Sequence, residues 1–108
     1  MDEVLKGLYD VVTARKCEPQ EGSYTCYLFE KGLDKILKKV GEECAETIIA
    51  AKNGDNAATT EEICDLMYHL MVMMAQSGIP LSDVMDVLAA RSAKIGNLKK
   101  MHTSDHNS

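Results

Sequence analysis

The sequence predicts an all-α domain, a four-helix bundle that a second copy of the chain completes. Three observations lead there. Apolar residues recur at helical spacing in four separate segments. No stretch of useful length alternates apolar and polar residues as a half-buried strand does. Turn residues punctuate the segments at Pro19 and Gly22, at Asn53-Gly54-Asp55, and at Gly78 with Pro80. With 108 residues the chain makes one domain, which we place at 1–96, with a polar tail over 97–108.

The first helix is expected over residues 2–15, where Val4, Leu5, Leu8, Val11 and Val12 share a face. A loop follows over 16–24, where no periodicity survives around Pro19 and Gly22. A long helix is predicted over 25–52, with an apolar stripe of Leu33, Ile36, Leu37, Val40, Cys44 and Ile48, ending at Asn53-Gly54. The third helix runs over 57–76, with Ile63, Leu66, Met67, Leu70, Met71 and Met74 as its stripe. The fourth follows Pro80, over 81–95. The tail has little to bury and is expected to be disordered. Cys44 and Cys64 sit among apolar positions, where buried free thiols are common. The four cysteines follow no metal-binding spacing, so a cytoplasmic protein with reduced thiols is expected.

Charge narrows the function. A net charge of −5 argues against a nucleic-acid or anionic-membrane surface. No apolar run approaches the roughly 20 residues that span a bilayer, and no signal-peptide pattern opens the chain. The acidic residues are not scattered. Glu42, Glu43 and Glu46 fall within about 100° of one another around a helix. Glu62 and Asp65, three apart, share a face of the next helix. If the chain reverses at Gly54-Asp55, Glu46 comes level with Glu62 and Glu43 with Asp65. So many carboxylates at one level repel unless a cation sits among them, and oxygen ligands suit Mg²⁺ or Mn²⁺.

Each half has an ordinary explanation as well. Lys38 and Lys39 stand four before Glu42 and Glu43 and could pair with them, for only about 0.2–0.5 kcal/mol per pair. Thr59-Thr60-Glu61-Glu62 fits a capping box, which would make Glu62 structural. Matching heights across a hairpin favour the metal. Lys35 and Lys39 lie on the carboxylate face toward its N-terminal end, suited to polyphosphate. His69 is expected as a partly buried, hydrogen-bonded ring, and the methionines around it as core or dimer interface.

The pattern EExxE followed by ExxD resembles the signature of the MazG-like all-α nucleoside triphosphate pyrophosphatases. The stretch GSYTCYLFEKGLDKILKKVGEECAE and the later EICDLMYHLMVMMAQSGIPLSDV go further and resemble the phosphoribosyl-ATP pyrophosphatase family of histidine biosynthesis. That resemblance implies a homodimer that hydrolyses the α–β phosphoanhydride of a nucleotide. It implies Glu43, Glu46, Glu62 and Asp65 as Mg²⁺ ligands, and Glu42 or Glu46 as the base toward water. Lys35 and Lys39 would meet the departing pyrophosphate, and Ser23, Tyr24 and Thr25 would meet phosphate or ribose. Two other functions compete: a house-cleaning (d)NTP pyrophosphatase with the same carboxylates, and a non-enzymatic helical dimer with a solvated acidic face.

Overall fold

Five helices and no strand make up residues 2–97, the part of the chain that the computed structural model describes. They are α1 (Asp2–Cys17), α2 (Tyr24–Lys31), α3 (Leu33–Lys52), α4 (Asn56–Ser77) and α5 (Leu81–Asn97). The all-α class is as the sequence predicts. The disorder expected of the tail concerns residues that, beyond Asn97, lie outside the described part.

The count of four helices is corrected to five, because the helix expected over 25–52 is broken at Gly32. Gly32 takes φ 96° and ψ −178°, a region essentially reserved to glycine. Its N–H still donates to the Leu28 carbonyl (3.0 Å), and its own carbonyl accepts from the Ile36 N–H (3.2 Å). The residue therefore closes one helix and opens the next with its own backbone bonds intact. Beyond the break, α2 runs back across α4, so that Leu28 is fully buried and Tyr24 and Thr25 reach side chains of α4.

The core is Val12, Leu28, Ile36, Met71, Val72, Met74 and Ala75, drawn from α1 to α4. Lys16 fastens α1 to the end of α4, its ammonium donating to the Ala75 carbonyl at 3.1 Å. Tyr9 does the same through Ile79, at 2.7 Å. Of α5, Leu81 and Val84 in the first turn pack against the core.

The face that α3 turns inward is not its apolar stripe. Ile36, Glu43 and Ala50, seven apart, are its buried residues. Leu33, Leu37 and Ile48 lie roughly 60–120° around the helix and are 41%, 44% and 67% exposed. Cys44, expected to be buried, is exposed for the same reason, and Cys64 of α4 is exposed as well. The inward face of α3 carries Glu43 between Ile36 and Ala50, and much of the apolar stripe is left open.

Candidate active site

The site begins with a tight reversal. Asn53 caps α3, Gly54 takes φ 74°, and the Asp55 carboxylate accepts the Ala58 N–H at 3.0 Å to start α4. Because Asp55 is the cap, Thr59 and Thr60 are already helical, their hydroxyls donating to the carbonyls of Asp55 and Asn56. The capping-box explanation of Glu62 therefore does not apply, and its carboxylate is free for other work.

Glu43, Glu62 and Asp65 converge. One carboxylate oxygen from each lies within 4.8 Å of the other two. Glu43 is buried, Glu62 half-buried and Asp65 exposed, so the cluster opens to solvent on one side. Among the described residues, the Oε1 atoms of Glu43 and Glu62 are buried without a hydrogen-bond partner. A buried carboxylate oxygen left unpaired is costly, and a hard divalent cation is the partner that an all-oxygen set fits. Desolvation pushes the Glu62 carboxyl from an ordinary 4.5 up to about 7, with the Glu46 and Glu43 carboxylates adding to the rise.

Glu46, the fourth expected ligand, is outside that triplet. It is exposed, one turn further along α3, and presses its charge on Glu62. Glu42 is half-exposed and bonded to the Lys39 ammonium at 3.2 Å, while Lys39 stands 3.9 Å from Glu43. The bond to Glu42 raises the Lys39 pKa, so this lysine is a fixed positive charge at the edge of the cluster. Lys35 lies one turn before it, half-buried, with no ion-pair partner among the described residues.

The three residues before the glutamates divide. The Ser23 hydroxyl is taken by its own helix, accepting the Cys26 N–H at 3.2 Å. Thr25 is bonded to the Tyr68 hydroxyl. Tyr24, first in α2, is 45% exposed, and its hydroxyl lies 3.0 Å from Nε2 of His69. His69 is buried and hydrogen-bonded as expected, its Nδ1 2.7 Å from the backbone carbonyl of Asp65. Tyr68 had not been singled out from the sequence. A tyrosine inside the apolar run LMYHL was the available signal, since a buried phenol needs a partner. Tyr24 also borders a cavity of about 990 Å³ lined by Arg15, Gln20, Ser23, Tyr27 and Phe29 among others.

Comparison with known proteins places the sequence in a family. Residues 5–92 match the phosphoribosyl-ATP pyrophosphohydrolase family. A phosphoribosyl-ATP pyrophosphatase of Clostridium botulinum (strain Hall) is 54% identical over 98 residues, which are 91% of this chain and 89% of that one. One from Streptococcus sanguinis is 50% identical over 103 residues, 95% of this chain and 99% of that one. The histidine biosynthesis bifunctional protein HisIE of Thermoanaerobacter pseudethanolicus is 60% identical over 82 residues, 76% of this chain and 38% of that longer protein. By the length and closeness of these matches, the chain belongs to the phosphoribosyl-ATP pyrophosphohydrolase family.

Proposed function

We propose that this chain hydrolyses phosphoribosyl-ATP to phosphoribosyl-AMP and pyrophosphate, using a divalent cation, Mg²⁺ first, held by Glu43, Glu62 and Asp65, with Glu46 beside them. The observation that carries the proposal is the pair of buried carboxylate oxygens, one on Glu43 and one on Glu62, left without a partner among the described residues, in a cluster that Asp65 completes and in a chain of this family. A cation bound there would polarise the phosphoanhydride and make its bound water more acidic.

The side chains divide the remaining work. Glu42 is held by Lys39, whereas Glu46 is exposed and uncommitted, which makes Glu46 the carboxylate to accept the proton of the attacking water. Lys39 and Lys35 neutralise charge on the departing pyrophosphate. The cavity beside Tyr24 has the size of a small-molecule site and takes the nucleoside half of the substrate.

A second copy of the chain completes the molecule. Leu37 and Ile48 of α3, Ile63 of α4, and Val87 and Leu88 of α5 are exposed together with Leu33. So much apolar surface on a small chain is the mark of an interface. We expect sedimentation velocity to give a homodimer, and Ile48→Glu with Leu37→Glu to give a monomer. A wild-type monomer at micromolar concentration would refute the dimer. With no helix among the described residues long and apolar enough to cross a membrane, and its thiols free, we place the enzyme in the cytoplasm.

The substrate assignment is tested by pyrophosphate release from phosphoribosyl-ATP beside ATP and dUTP. Preferential turnover of phosphoribosyl-ATP is expected. Turnover of dUTP or ATP in its place would move the protein to nucleotide house-cleaning.

A further inference from the structure

The chain of contacts from Tyr24 through His69 to Asp65 fixes where one proton points. A backbone carbonyl only accepts, so the ring nitrogen 2.7 Å from Asp65 O, Nδ1, carries the hydrogen. A neutral imidazole has a single N–H, so Nε2 offers only a lone pair. In the neutral ring with its hydrogen on Nδ1, the Tyr24 hydroxyl, 3.0 Å away, donates to it. The ring cannot turn over without setting a carbon against the Asp65 carbonyl. It is also held edge-on by Tyr24 (centroids 5.8 Å apart, planes at 76°) and by Tyr68 (4.9 Å, 81°).

With its only proton turned inward, the Tyr24 oxygen has lone pairs to offer and nothing to donate. Among the described residues it makes no other hydrogen bond, the nearby Lys39 ammonium being bonded to Glu42 instead. Phosphate oxygens are acceptors as well, so Tyr24 is unsuited to them. In the substrate proposed above, the O–H groups that an acceptor can receive are the ribose hydroxyls.

We infer that His69 is a positioning residue that makes Tyr24 a hydrogen-bond acceptor, and that the O–H it receives is a hydroxyl of the substrate's nucleoside ribose. This rests on the nucleotide-hydrolase function proposed above. The arrangement selects ribonucleotides over deoxyribonucleotides at Tyr24, which borders the cavity and is tied through His69 to the backbone of Asp65. The catalytic water is the other O–H donor available nearby, and kinetics separate the two.

Two measurements decide the matter. Long-range ¹H–¹⁵N correlation identifies which ring nitrogen of His69 carries the hydrogen, with His69→Gln assigning the signal. The Nδ1–H form is expected, and the Nε2–H form would overturn the inference, because Tyr24 would then be free to donate outward. In steady-state kinetics Tyr24→Phe should raise KM for phosphoribosyl-ATP about tenfold with kcat little changed. A substrate lacking the 2′ or 3′ hydroxyl should show the same loss on the wild type and no further loss on Tyr24→Phe. A fall in kcat alone, indifferent to the sugar, would assign the donor to water and overturn the ribose. His69→Gln, which can present an amide oxygen near the place of Nε2, should keep most of the wild-type KM, and His69→Leu should not. Equal losses in both would reduce His69 to packing. If phosphoribosyl-ATP is not turned over at all, the proposed function and the ribose assignment fall together, while the spectrum still decides the direction of the Tyr24–His69 bond.

Discussion

If Glu62 holds Mg²⁺ as proposed, the Mg²⁺ affinity should depend on pH near neutrality. Its carboxyl takes up a proton near pH 7 in the metal-free protein, against 4.5 for an ordinary glutamate. A bound cation displaces that proton. Around a pKa of 7, about nine-tenths of the group is ionised at pH 8 and about one-tenth at pH 6, so the apparent Mg²⁺ dissociation constant rises about tenfold between them. An unshifted glutamate is ionised at both values and would leave the constant almost unchanged. Calorimetric titration at pH 6, 7 and 8, in buffers of different ionisation enthalpy, counts the proton directly: about one released at pH 6 and about a tenth of one at pH 8. Folding of the metal-free protein shows the matching sign. The folded state holds this proton more tightly than the unfolded chain, so the associated stability is fully present below pH 4.5 and lost as pH rises through about 7. Glu62→Gln should remove both dependences. A change of less than twofold in the dissociation constant between pH 8 and pH 6 would refute the argument.

Gly32→Ala should destabilise the fold by about 1–3 kcal/mol, the cost of a strained backbone conformation. Among the described residues, no atom beyond its chain neighbours lies within 4 Å of the added methyl, so urea unfolding would report strain from φ 96° rather than a clash. Leu28→Ala empties a fully buried position and should cost about 2–5 kcal/mol. The same substitution loosens α2 beneath Tyr24, so KM should rise as well, which an assay well below the melting temperature would show. Asp65→Asn should lower kcat by at least about 100-fold with the far-ultraviolet circular dichroism unchanged. Retention of more than a tenth of the activity would remove Asp65 from the cation site.

The carboxylate cluster was legible because it is local. Glu43 and Glu46 share a helix face, Glu62 and Asp65 share another, and Asn53-Gly54-Asp55 sets the two level. Gly32 was harder, since one glycine inside a periodic segment looks the same whether the helix continues or breaks. The clue was Lys31 in the preceding turn, the arrangement in which a helix ends at a glycine. Cys44 and Ile48 misled for a physical reason: apolar periodicity finds an amphipathic face without saying which neighbour covers it. Here α3 buries a mixed face of Ile36, Glu43 and Ala50 and leaves Leu37 and Ile48 exposed. The Tyr24–His69 and Thr25–Tyr68 bonds join residues more than forty positions apart, and no local pattern announces them.

The most direct test of the account is the initial rate of pyrophosphate release from phosphoribosyl-ATP by the wild type and by Glu43→Gln, each with Mg²⁺ and with chelator. The account predicts rapid release only by the wild type with Mg²⁺, and at least about a hundredfold less in the other three reactions. Equal rates in wild type and Glu43→Gln, or release that persists under chelation, would contradict it.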